Sequence, residues 1–238
     1  MYNFNSVAIV CNSQYEDLYK ESSYFYKDLP FDKIRIDGSN GFYGLKFLNN
    51  LIKTCRYDWV ILIDEDCFVS DVNEVVSLLK FQMKNNYAFS GPPDGGVMTY
   101  RNHNPVAINT FFSILNLKKI KSVYREKVAM RTVFNVRLKK HTPFHLINPD
   151  ILYKYNNFEP YYRIFFHCIN KNLKPLYLDV ENLSLKDDKW STILKSHDGK
   201  NFAYHSWFSR EWKAGHKKRI TKLINMARKN QVKWSGVL

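Results

Sequence analysis

Residues 57–70 read YDWVILIDEDCFVS. Within them, 59–63 is an unbroken apolar run that includes the β-branched Val60, Ile61 and Ile63. Such a run predicts a strand buried on both faces, as in the middle of a parallel sheet. Three acids follow without a gap: Asp64, Glu65 and Asp66. Side chains alternate along extended chain, so Asp64 and Asp66 are expected on one side. Two carboxylates together at the end of an apolar strand repel each other and resist burial. A hard divalent cation relieves that penalty, and Mg²⁺ or Mn²⁺ prefers carboxylate oxygens. The carboxyl ends of parallel strands are also where open α/β sheets bind ligands. The stretch therefore points to a metal site that holds a phosphorylated ligand. The plainer alternative is a solvated acidic turn that ends the strand.

Working outward, residues 6–11 (SVAIVC) predict a first strand, followed by the polar loop Asn12-Ser13-Gln14. A helix is expected over 16–29, stopped by Pro30, and a second strand over 33–36 that ends in the turn from Asp37 to Gly41. Residues 41–55 predict a helix with Leu48, Leu51, Ile52 and Cys55 on one face. Gly41 and Gly44 at its start would let backbone approach a diphosphate. Beyond the acids, Asp71 with Glu74 spells a capping box, and Val72, Val75, Val76 and Leu79 mark the buried face of the next helix. A strand over 87–90 leads to the Gly- and Pro-rich loop 91–96, which contains Asp94. Residues 101–115 suggest a loop feeding a strand, and 142–150 a loop with a short strand. His141 and His145 flank the start of that loop and read as structural or surface histidines.

Two later stretches matter. In NFEPYYRIFFHCINKN (157–172), Pro160 suits the first helical position, which puts Glu159 at or just before the cap. Tyr162, Phe165, Phe166 and Ile169 form the apolar stripe behind it, and a strand is expected over 175–178. In NFAYHSWFSR (201–210), a short aromatic strand leads to His205.

In this setting Asp64-Glu65-Asp66 resembles the Asp-any-Asp motif of the nucleotide-sugar-dependent glycosyltransferases of the GT-A fold, over roughly residues 6–215. The resemblance implies an α/β architecture: a Rossmann-like, mixed but mainly parallel central sheet flanked by helices. Residues 1–95 would form the nucleotide-sugar-binding part and 96–215 the acceptor side. It implies transfer of a sugar from a nucleoside-diphosphate sugar, UDP with manganese being commonest in the family, to a hydroxyl of a glycan or lipid-linked acceptor. Carried over residue by residue, Asp66 and His205 bind the metal, and Asp64 binds it directly, through water, or holds the ribose. Ser13 and Tyr15 lie where the family meets the nucleotide base, and Asp37 where it meets ribose or base. Asp94 would hydrogen-bond sugar hydroxyls. Glu159 would deprotonate the acceptor if the enzyme inverts. An imidazole beside two carboxylates favours Mn²⁺ over Mg²⁺. The chain departs from the family in two places: its acidic motif comes one strand–helix unit early, and Pro160 replaces a second acid.

Composition bounds the rest. Hydrophobic residues make up 45% and aromatics 16% of the 238 residues, which excludes a disordered chain. Cys11, Cys55, Cys67 and Cys168 form no CxxC pair, so neither a zinc ribbon nor a thioredoxin-like motif is supported. No apolar run reaches the roughly 18–20 residues that span a bilayer. The opening MYNFNSVAIVCNS has no basic region before a long apolar segment, so no signal peptide and a cytoplasmic location are expected. The net charge of +14 is concentrated in residues 116–140 and 207–238, each with nine Lys/Arg against one acid. These segments suggest anionic partners: phosphates, acidic glycans, membrane lipids or nucleic acid. A basic amphipathic helix is expected over 214–230, and 216–238 is set apart from the 1–215 domain as a basic C-terminal helical segment. It carries Ile220, Leu223, Ile224 and Ala227 on one face, and could lie on an anionic membrane or dock on the domain.

Three other functions fit parts of this pattern. A sugar nucleotidyltransferase would want a Gly-rich basic loop after the first strand, which Asn12-Ser13-Gln14 does not supply. A nucleic-acid-binding protein or metal-dependent nuclease suits the charge, but no nucleic-acid motif is present and the cations are remote in sequence from the acids. A non-catalytic scaffold has no need of paired acids at the end of a central strand.

Overall fold

A computed structural model describes residues 4–95, 97–98, 104–147, 153–185 and 188–238. The first part of the chain alternates strand and helix: β1 (Val7–Ser13), α1 (Glu16–Ser23), β2 (Asp32–Asp37), α2 (Gly44–Thr54) and β3 (Trp59–Ile63). Then come β4 (Cys67–Val69), α3 (Val72–Lys84), β5 (Phe89–Gly91) and β6 (Phe112–Asn116). Three short helices follow, α4 (Leu117–Val123), α5 (Glu126–Ala129) and α6 (Val136–Lys139). The chain closes with α7 (Tyr162–Asn170), β7 (Pro175–Tyr177), β8 (Val180–Asn182), β9 (Thr192–Lys195), β10 (Asn201–His205) and α8 (Lys217–Lys229).

The main sheet has the order β2-β1-β3-β6-β5-β7, and β6 runs against its neighbours. This is the mixed, mainly parallel, Rossmann-like sheet expected from the sequence. Both faces are covered, and the strand residues divide by parity. Val7, Ile9, Ile61 and Ile63 pack into one core, with α3 and α8. Ala8, Val10, Val60 and Leu62 pack into the other, with α2 and α7. Burial on both faces explains the unbroken apolar run of β3. Truncating Ile61 to Ala would cost about 2–5 kcal/mol.

A second, antiparallel sheet, not expected from the sequence, has the order β4-β10-β9-β8, and of its strands only β10 was anticipated. Several expected boundaries also move. The first helix ends at Ser23 and passes into a 3-10 turn, Tyr24–Tyr26, so it stops short of Pro30. Asp71 does cap α3 through Asn73 N, but Glu74 bonds Ser196 and Lys200 instead of closing a capping box. Helix α7 begins at Tyr162, leaving Pro160 in the turn before it. Within the loop 142–150, expected to hold a short strand, Phe144–Leu146 is a 3-10 turn. Residues 99–103 and 148–152, in two of the expected loops, lie outside the described residues.

The tail does not stand apart. Ile220, Leu223, Ile224 and Ala227 of α8 are buried in the core that contains β1 and β3. Its apolar face is therefore covered by protein and unavailable to a bilayer. Val232 N donates to Ser70 O at 2.7 Å, which fastens the residues after α8. Among the described residues no helix is long and apolar enough to cross a membrane.

Candidate active site

β1, β2 and β3 are parallel, so their carboxyl ends share one edge of the sheet, at Ser13, Asp37 and Asp64. The acids form a tight turn there, in which Cys67 N donates to Asp64 O at 3.0 Å. The chain then enters β4, which pairs with β10 in the register His205↔Cys67. One step further, Ser206 N donates to Asp66 O at 3.0 Å. This register brings His205 to the acidic turn.

The edge opens into a cleft of about 580 Å³. Of the expected site residues, Asp64, Asp66, Glu159 and His205 line it, together with Gly41 and Gly44. Gly44, at the start of α2, has φ +55°, a conformation that suits glycine.

The three acids sit in different fields. Asp66 is buried, and His205 Nε2 stands 3.4 Å from its Oδ1, while Ser206 Oγ donates to Oδ2 at 3.2 Å. Burial pushes the Asp66 carboxyl up, but the attraction of His205 and these hydrogen bonds outweigh it and hold it below the usual range. Asp64 is driven well above that range, first by burial and then by Asp66 and Glu65, with Arg210 opposing. Burial also raises Glu65 to about 7, although Tyr15 N donates to its Oε2 at 2.8 Å. The His205 ring stacks on Phe111 with centroids 3.8 Å apart, and its buried Nδ1 has no hydrogen-bond partner.

This donor set fits a hard divalent cation. Crowded carboxylates are what a cation would relieve, and His205 would reach it through Nε2, beside Asp66, not through the unpartnered Nδ1. The 3.4 Å between His205 Nε2 and Asp66 Oδ1 is also about the spacing of two ligands that share one ion with bonds of about 2.1 Å. Among the described residues, no group of three or more His, Cys, Asp or Glu side chains converges as a metal cage. Magnesium-type sites use one or two carboxylates plus substrate phosphates, not an all-protein cage.

The remaining expected residues do not line the cleft. Ser13 is buried, and its Oγ accepts from Arg35 Nε at 2.7 Å. Asp37 is exposed on the edge strand and caps Ser39 N. Asp94 is buried and accepts from Asn109, Gly95 N and the Tyr162 hydroxyl. Tyr15 reaches the site through its backbone, and its hydroxyl donates to Arg210 O at 2.8 Å.

Asn12, Gln14, Lys46 and Arg210, not expected at the site from the sequence, also line the cleft. Alternation along β1 was the available signal for the first two: if Ser13 faces inward, its neighbours face the cleft. Arg210 lies over the Tyr43 ring at 4.5 Å, joining the rim before α2 to the segment after β10. In that segment Trp207 and Phe208 both have left-handed backbone, with φ 58° and 60°. Arg219 of α8 holds it in place, donating to Ser206 O at 2.6 Å and to Trp207 O at 2.8 Å.

No family model matches the sequence, and no curated protein matches it. Several solved structures are similar in part, among them these two. One is a glycosyltransferase involved in the glycosylation of the major capsid of PBCV-1, with TM-score 0.33 and 11% identity over 61% of this chain and 77% of that one. The other is A197 from STIV, with TM-score 0.40 and 9% identity over 82% of this chain and 92% of that one.

Proposed function

We propose that the chain is a glycosyltransferase of the GT-A type, moving a sugar from a nucleoside-diphosphate sugar to a hydroxyl of a glycan or lipid-linked acceptor. One observation carries the reading. Asp64, Asp66, Glu159 and His205 come from three separate stretches of sequence and line one cleft at the carboxyl edge of the parallel strands.

Asp64, Asp66 and His205 would hold Mn²⁺ or Mg²⁺, which when bound supplies positive charge against the donor diphosphate. Lys46 and Arg210 add cationic charge in the same cleft. Asn12 and Gln14 offer amides to the nucleotide. In an inverting transfer, Glu159 accepts the proton of the acceptor hydroxyl. That oxygen then bonds to the anomeric carbon as the bond to the diphosphate oxygen breaks, and the nucleoside diphosphate leaves.

The test is calorimetry with UDP, GDP, CDP and TDP, each with Mn²⁺ and with EDTA, on the wild type and on Asp66→Ala. Metal-dependent binding of one nucleotide, lost in the variant, supports the reading and narrows the donor to that nucleotide's sugars. A folded protein that binds none of the four overturns it.

A further inference from the structure

We infer that the outer face of residues 125–145 is a docking surface for an anionic lipid bilayer. Helices α5 and α6 pack on α7 with only Ala129 and Leu138 fully turned inward. The outer side of these helices and of the turns beside them carries large apolar groups with little cover. Val136 is 82% exposed, Phe144 65%, Val128 52% and Val133 47%. Exposed cations alternate with them: Arg125, Lys127, Arg131, Arg137, Lys139 and Lys140. The one acid of the segment, Glu126, is engaged by Lys53. Lys127, Arg131, Arg137 and Lys140 have no carboxylate partner among the described residues.

Neither half of this pattern explains itself. A solvated basic face has no use for four uncovered Val and Phe side chains, and an apolar contact with a neutral partner has no use for six cations. A bilayer with anionic headgroups takes both at once: the apolar groups enter the boundary with the acyl chains, and the cations sit at the phosphates. The C-terminal helix lacks this combination, because its apolar face is covered by the core. The surface also adjoins the cleft. Phe134 N donates to Asn157 Oδ1 at 2.8 Å, two residues before Glu159, which lines the cleft. Docking does not depend on the proposed transfer chemistry, and its test reads binding, not activity.

The experiment is co-sedimentation of the full chain with phosphatidylcholine vesicles and with phosphatidylcholine–phosphatidylserine vesicles at about 0.1 M salt. Three variants accompany the wild type: Val136→Ser/Phe144→Ser, Arg137→Ser/Lys140→Ser and, as a control on α8, Lys218→Ser/Lys229→Ser. The surface predicts binding to the anionic vesicles only. Each of the first two variants should weaken it roughly tenfold or more, and the control should weaken it far less. Absence of wild-type binding overturns the inference. So does loss in the charge variant with none in the apolar variant, which would mark a site for a soluble polyanion such as nucleic acid. Loss confined to the α8 control overturns it as well.

Discussion

His205 Nε2 stands 3.4 Å from Asp66 Oδ1 inside a site where both side chains are almost wholly buried. The pairing is a consequence of register: β10 meets β4 with His205 opposite Cys67, so the residue before Cys67 faces the residue after His205. Removing the imidazole leaves a buried carboxylate short of a partner. His205→Ala is expected to destabilise the fold by about 2–4 kcal/mol in urea unfolding. In the Asp66→Asn/His205→Ala double variant the losses should fall short of additive by about 1–3 kcal/mol. Additive losses would show that the two side chains do not interact.

Asp64 presents the opposite case. Its carboxyl titrates well above the usual range because burial, Asp66 and Glu65 all disfavour its charge. A raised carboxyl pKa costs stability once the pH exceeds the unfolded value near 4, and the cost grows up to the folded pKa. In EDTA, Asp64→Asn should therefore be more stable than wild type by at least about 1 kcal/mol at pH 8, with the two converging near pH 4. The same variant should lose metal-dependent nucleotide binding, the usual exchange between a strained site and stability. Equal stability at both pH values would mean that Asp64 is not electrostatically strained.

Glu159 is tested by turnover once a donor is identified. It lies at the cleft, outside α7, with its backbone carbonyl accepting from Tyr162 N at 3.1 Å. Glu159→Gln keeps the size of the side chain and removes the base. A fall in kcat of about 10²–10⁴-fold is expected, with donor binding and thermal stability close to wild type. A variant that keeps its kcat would exclude Glu159 as the base.

The parts of the fold legible in sequence are those with long periods. β3 and its acids stand out because a strand covered on both faces needs an uninterrupted apolar run. Helices α2, α3, α7 and α8 show their stripes at 3.6-residue spacing. The second sheet is hidden because β4 and β8 have three residues each, too few for a pattern, and β4 finds its partner far along the chain. At the site, Asp64, Asp66, Glu159 and His205 were legible as acids or a histidine next to strong elements. Asp94 looked like a loop acid free to bind sugar, yet the loop folds inward and Tyr162 and Asn109 occupy the carboxylate. Arg219 was unreadable, since a buried arginine within a basic helix has the same letters around it as a solvated one.

Arg219 supplies the last prediction. Its side chain is 9% exposed and joins six groups: Asp188, Ser191 Oγ, His216 Nδ1, the carbonyls of Ser206 and Trp207, and the Trp190 ring at 5.4 Å. Lysine keeps the charge but loses the planar fork and the stacking. Arg219→Lys should lower stability by about 2–4 kcal/mol and loosen the left-handed pair Trp207–Phe208, read as a change in tryptophan fluorescence. The lock should also be acid-sensitive. Burial pushes the Asp188 carboxyl up, but hydrogen bonds from Ser191 and Trp190 N and the charge of Arg219 outweigh it and leave it below the usual range. A lowered carboxyl pKa adds stability that is present above the unfolded value near 4 and is lost as pH falls through the folded value. Asp188→Asn should therefore be less stable than wild type at pH 7, with the gap closing only below about pH 4. A gap that stays constant down to pH 2 would show that the Asp188 charge contributes nothing to the lock.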